Sequence, residues 1–163
     1  MDANAFYGLF SATCFALVGL WWKVVESRPQ WFKDDQMKSL AGGVYLSFLI
    51  PGLMGLGAQV AGSDTPLWRV VFVVGAALGM YYTWRLLAAA KTGDKVGIFR
   101  RNRWLAFLIY AFILAGSLGL DKALASFVAP IQVEAFLMCL LILLAHGLAW
   151  DFLTEAQVKT ESK

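Results

Sequence analysis

The sequence predicts an all-α membrane protein, a single bundle of five transmembrane helices over residues 1–163 with its N-terminus outside and its C-terminus inside. Of the 163 residues, 60% are hydrophobic and 15% are charged, whereas soluble domains have about 45–50% apolar and about 25% charged residues. The apolar residues form runs near the ~20-residue length that spans a bilayer. The basic segment 91–103 separates two such runs, and short basic loops stay on the cytoplasmic side.

The first helix is predicted over 4–22, and the residues Trp-Trp-Lys at 21–23 follow the pattern of a membrane interface. There, aromatic rings lie at headgroup level with an ammonium group beyond them. Pro29 cannot continue a helix without losing a hydrogen bond, so we expect a polar connection after the first helix. Trp31 and Phe32 of this connection are expected to lie on the bilayer surface.

The second helix is predicted over 39–61 and is rich in glycine. Pro51 and Gly52 fall in its middle and predict a kink, because proline removes a backbone donor and clashes with the preceding turn. The kink could be a hinge or a bend that lines a cavity. It could equally serve packing geometry alone.

The third helix is predicted over 67–90, with Arg69 near one end and Arg85 near the other. Gly75 and Gly79 form a GxxxG pair, which lets two helix backbones approach closely. Such pairs are common in glycine-rich apolar sequence, so this one predicts a helix contact without specifying a dimer.

The fourth and fifth helices are predicted over 104–127 and 131–153, joined by a very short turn at 128–129. Pro130 suits the first turn of the fifth helix, where its missing N–H is not needed. The tail 154–163 is polar, and we expect it to be frayed.

Charge counting supports this topology. With the basic loop inside, five spans place all but two of the 14 Lys and Arg residues on the inner side, and the two exceptions are Arg69 and Lys122. Arg100, Arg101 and Arg103 in the loop could hold anionic lipid headgroups or a phosphate group. Alternatively, they only set the orientation from a solvated loop.

Ionisable groups inside a membrane are costly and normally pair or face water, so they are the first candidates for function. Glu134 lies in the apolar fifth helix, and we expect it to pair with Lys122 across the short turn. This pair could staple two helices or belong to a proton or ion path. Gln132 is a further polar candidate. His146, the single histidine, could be a proton-responsive gate or a hydrogen-bonded packing residue.

The chain shows no nucleophile–base set, carboxylate pair, phosphate loop or metal signature. Its two cysteines, Cys14 and Cys139, lie in apolar runs without a CxxC motif, so we expect inert thiols. The sequence therefore predicts no cofactor and no metal, leans away from an enzyme, and gives no sign of nucleic-acid binding.

The leading functional hypothesis is a homo-oligomeric channel or transport protein, with a pore or polar site at the subunit axis. A second hypothesis is a non-catalytic accessory subunit that anchors a larger membrane complex. A third, weaker one is a membrane enzyme acting on lipid or quinone at the aromatic-rich inner interface. No targeting peptide is recognised, so the expected location is a bacterial inner membrane.

Overall fold

The computed structural model describes residues 2–62, 65–88, 101–102, 104–119 and 130–161. These residues form five helices: α1 (Ala3–Glu26), α2 (Asp35–Ala61), α3 (Leu67–Ala88), α4 (Trp104–Ser117) and α5 (Pro130–Glu161). A 3₁₀ turn, Pro29–Lys33, joins the first two helices. No strand occurs in these ranges, which confirms the predicted all-α class.

Four helices, α1, α2, α3 and α5, are long and apolar enough to cross a membrane, and α4 is apolar but only 14 residues long. Large apolar side chains such as Leu9, Val60, Phe112 and Leu143 are exposed on the outside of the bundle. Because such a surface is stable only in contact with hydrocarbon, the chain is a helical membrane protein.

The helices alternate in direction, so the bundle has two distinct ends. The Arg69 end holds the start of α1, where the Tyr7 hydroxyl donates to the Ile131 carbonyl at 2.7 Å. The opposite end holds the ring contact between Trp21 and Phe152. We call it the basic end, because most of the cations with described side chains lie there: Lys23, Arg28, Lys33, Lys38, Arg85 and Arg101.

Helices α1 and α2 pack closely through glycine. A Cβ atom built on Gly52 would lie 2.8 Å from the Cys14 Cβ, and one on Gly55 would lie 2.7 Å from the Ser11 Oγ. The Ser11 hydroxyl donates to the Gly52 carbonyl at 3.1 Å, one residue past Pro51, through which α2 continues. The Pro-Gly element therefore lies in a tight helix contact.

Replacing Gly52 with leucine is expected to destabilise the bundle by about 1–3 kcal/mol, because the added side chain has no space beside Cys14. Gly42→Leu is the matched control in the same helix, since a Cβ atom there meets nothing within 4 Å. The free energies of unfolding of both variants can be measured by SDS titration in mixed micelles. Equal losses would contradict the assigned contact.

The two glycines of the GxxxG pair contact different helices. The Cβ position of Gly75 is filled by the Met54 side chain of α2, and that of Gly79 by the Tyr110 ring of α4. The pair therefore lets α3 approach a neighbour on each side within one subunit.

Four helix ends differ from the prediction by more than two residues, and one of them is the start of α2, at Asp35 rather than residue 39. Helix α4 ends at Ser117, not near residue 127, because the chain turns at Gly119, whose φ of +90° suits glycine. The Gly119 N–H donates to the Gly116 carbonyl at 2.8 Å, and residues 120–129 lie outside the described part. Helix α1 continues to Glu26, and α5 continues through the tail to Glu161.

The prediction for Trp31 was wrong, because its side chain is only 5% exposed. Its ring lies 6.4 Å from that of Trp21 and 4.7 Å, edge to face, from that of Phe152. The Trp21 indole N–H donates to the Ala41 carbonyl at 3.0 Å. We call Trp21, Trp31 and Phe152 the aromatic cluster. It forms because the 3₁₀ turn packs Trp31 against α1 and α5, while the neighbouring Phe32 stays exposed.

Candidate functional site

A partly open cleft enters the basic half of the bundle between α2, α3, α4 and α5. Its space, counted together with the open mouth, amounts to about 910 Å³. The residues that line it are Leu40, Gly43, Val44, Leu46, Ser47, Ile50, Gly79, Tyr82, Thr83, Leu86, Ala106, Tyr110, Leu141, Leu144, Ala145, Leu148 and Phe152. We refer to it as the cleft.

Small residues from four helices line the cleft. They are Gly43, Gly79, Ala106 and Ala145. The two glycines let neighbouring side chains approach closely, since Leu86 lies at the Cβ position of Gly43 and the Tyr110 ring at that of Gly79. Sequence analysis recognised Gly79 as a contact residue, but it could not show that these four positions converge.

Among the described residues, the lining of the cleft contains no charged side chain. Its polar groups are the hydroxyls of Ser47, Thr83, Tyr82 and Tyr110. The Ser47 hydroxyl donates to the Val44 carbonyl of its own helix at 2.7 Å. A concave, mostly apolar site with a few hydroxyls is typical of sites for small apolar ligands.

A second polar site closes the Arg69 end. The guanidinium group of Arg69 donates to the backbone oxygens of Gly116 and Ser117, at 3.5 and 3.3 Å, and lies 4.9 Å from the Trp68 ring. These oxygens belong to the last turn of α4, where carbonyl groups lack helical partners and the helix dipole favours a cation. Arg69 thus caps α4 from α3.

Glu134 lies inside the bundle beside this cap and is 2% exposed. The Ser117 hydroxyl donates to Glu134 Oε1 at 3.2 Å, and a Cβ atom on Gly116 would lie 2.7 Å from the same oxygen. The expected Lys122 partner lies outside the described residues. Gln132, two residues earlier on α5, is exposed. We call Arg69, Ser117 and Glu134 the polar latch.

His146 lies on the exposed side of α5, nearer the basic end. Its Nδ1 atom is 2.9 Å from the Ile142 carbonyl oxygen, and its ring meets the Phe48 ring edge to face at 5.3 Å. These contacts are consistent with His146 as a hydrogen-bonded packing residue. Its role as a proton-responsive gate stays a prediction. Of the two thiols, Cys14 is buried and Cys139 is exposed.

Only residues 101–102 of the basic loop are described. Arg101 is exposed, while Arg100 and Arg103 lie outside the described residues. Within the described ranges, no group of three or more His, Cys, Asp or Glu residues could hold a metal ion.

Sequence analysis missed the cleft and the role of Arg69. Charge counting places Arg69 on the outer side but predicts no contact for it, and the sequence does not single out Ser117. The sequence Gly-Ser-Leu-Gly at 116–119 could have indicated the role of Arg69. It is typical of a helix C-terminus, where carbonyl groups need a donor.

No protein-family model matches this chain, and neither a curated protein nor a solved structure is significantly similar to it. The chain is a helical membrane protein by the length and apolar surface of its helices.

Proposed function

We propose that this protein binds a lipid-like apolar ligand in the cleft, as a membrane transport or lipid-handling protein. The observation that supports this proposal is the lining itself, in which the described side chains come from four helices and carry no charge. An ion or a strongly polar solute would lose its hydration there without gaining a charged partner, which is unfavourable. An apolar chain would exchange one hydrocarbon environment for another.

The dimensions of the cleft fit this class of ligand. It follows α2 from Leu40 to Ile50, which is about 15 Å at the helical rise of 1.5 Å per residue. This is about half of a ~30 Å hydrocarbon layer, so the cleft can take a chain from one leaflet. Beyond Tyr110 and Leu141, the fully buried Ile113 and Met138 block the path toward the polar latch.

Replacing Ala145 with phenylalanine is expected to abolish most ligand binding, because the ring would fill the space between α5 and its neighbours. Native mass spectrometry from mild detergent would count bound lipid-like molecules, and a fluorescent acyl-chain probe would report the affinity. The expected loss is about tenfold or more, the effect of losing ~1.4 kcal/mol of contact.

Ala16→Phe is the matched control, because Ala16 is exposed on α1 outside the cleft. Both variants should keep the helical circular dichroism signal. If the wild-type protein bound neither the probe nor a co-purified lipid, or if both variants bound equally well, the proposal would fail.

A second candidate is the homo-oligomeric channel or transport protein with its pore at the subunit axis. The exposed positions of His146 and Gln132 favour it, because both can face a neighbouring subunit. Glu134 lies within the subunit, so it would need a rearrangement to reach such an axis. A native mass that shows a ring, together with ion flux reduced by His146→Ala, would support this candidate.

If the protein is instead a non-catalytic accessory subunit, it should be a monomer on its own and should co-purify with other membrane chains. The cytoplasmic position of the basic end and the bacterial inner membrane stay part of this proposal. Labelling of single introduced cysteines from either side of the membrane tests the orientation.

A further inference from the structure

Tyr110 is the most deeply placed polar residue of the cleft. It is 4% exposed, its ring rests on Gly79, and it lies at the end of the cleft remote from Leu40. Among the described residues, no hydrogen bond of its hydroxyl is found, and the hydroxyl oxygen is not among the fully buried atoms. The ring is therefore buried while the hydroxyl is accessible from the cleft, where it can donate to a ligand, as tyrosine hydroxyls in apolar surroundings usually find a partner.

The other hydroxyl groups of the cleft differ in whether they already donate a hydrogen bond within the protein. The Ser47 hydroxyl is already bonded to a carbonyl of its own helix. The Tyr82 and Thr83 hydroxyls line the same cleft, and no hydrogen bond of either is found among the described residues. Three available donors therefore lie on α3 and α4, and Tyr110 is the most buried of them.

We propose that the ligand of the cleft is a neutral molecule with an apolar tail, whose carbonyl oxygen accepts a hydrogen bond from the Tyr110 hydroxyl. This inference rests on the proposed function, since it names the class of ligand for the same cleft. We assign an uncharged carbonyl, because none of the described lining residues is a cation that could compensate a carboxylate. A tailed quinone and the ester group of a neutral diacylglycerol both carry this chemistry.

The test compares three probes in lipid nanodiscs: a decyl-tailed benzoquinone, a neutral diacylglycerol and decylbenzene, which has no carbonyl group. Each is titrated against the wild type and Tyr110→Phe, and the dissociation constants are measured. Tyr110→Phe removes one oxygen atom and keeps the ring on Gly79. Tyr45→Phe is the matched control, because Tyr45 lies outside the cleft beside Trp22.

We expect Tyr110→Phe to weaken the binding of at least one carbonyl probe about three- to tenfold, the effect of a single net hydrogen bond. Decylbenzene should bind both proteins equally, and Tyr45→Phe should change nothing. The probe whose dissociation constant rises in Tyr110→Phe identifies the ligand class, a quinone for the benzoquinone or an ester lipid for the diacylglycerol. Without ligand, Tyr110→Phe should melt at the same temperature as the wild type or higher, because it removes an unpartnered hydroxyl.

The outcomes separate the two proposals. If decylbenzene and the carbonyl probes bind the wild type but Tyr110→Phe changes neither carbonyl probe, this inference is overturned while the proposed function stands. If no probe binds the wild type, the proposed function itself fails.

Discussion

Trp31→Ala is expected to lower the free energy of unfolding by about 3–5 kcal/mol, as large-to-alanine changes of buried tryptophan do. The indole packs against both Trp21 and Phe152, so its removal opens a cavity in the aromatic cluster. This cluster joins the ends of α1 and α5 to the 3₁₀ turn. SDS titration in mixed micelles, followed by circular dichroism, measures the loss.

Trp22→Ala is the control for this prediction. Trp22 is adjacent to Trp21 in sequence but is 61% exposed, with its ring 6.2 Å from that of Tyr45. Its removal should cost less than about 1 kcal/mol, because exposed positions lose little packing. Similar losses for Trp31→Ala and Trp22→Ala would show that Trp31 lies on the bilayer surface after all.

Glu134→Ala is expected to destabilise the protein by about 2–4 kcal/mol, through a cavity and the loss of the acceptor for the Ser117 hydroxyl. Glu134→Gln keeps an oxygen at the same position and should stay within about 1 kcal/mol of the wild type. Thermal and SDS unfolding of both variants measure the difference. A small loss for glutamine and a large loss for alanine would assign Glu134 to helix packing.

Gln132→Ala is the matched control on the same helix end, because Gln132 is exposed and should contribute little. If Glu134→Ala proved as mild as Gln132→Ala, the polar latch would not hold α4 against α5. A proton or ion path through Glu134 would be detected by flux rather than by stability. In that case Glu134→Gln would leave the free energy of unfolding unchanged but abolish flux into liposomes.

The helices themselves were predictable, because bilayer-length apolar runs specify where a chain enters and leaves hydrocarbon. Which side chains of each helix face the interior of the bundle was less predictable. The interfacial sequence at 21–23 suggested that both tryptophans lie at headgroup level, but Trp21 is buried and Trp22 is exposed. Burial depends on how the 3₁₀ turn packs against α1 and α5, which no local pattern indicates.

The same limit applies to the polar residues. The sequence identified Glu134 as a buried acid that needs an explanation, but its contact with Ser117 depends on which helices are neighbours. Helices α3 and α4 are adjacent because Gly79 admits Tyr110, and this also brings Arg69 to the last turn of α4. Such pairings arise from tertiary packing, whereas hydropathy reports only on each segment alone.

The shortness of α4 has a consequence for the surrounding lipid. Its 14 residues cover about 21 Å, less than a ~30 Å hydrocarbon layer, and the exposed Trp104 and Leu118 lie at its two ends. Among the described residues, α4 therefore presents a shorter apolar length to lipid than the four longer helices. Mismatch costs fractions of a kcal/mol per Å, so a change in bilayer thickness should affect the lipid contacts of α4 differently from those of its neighbours.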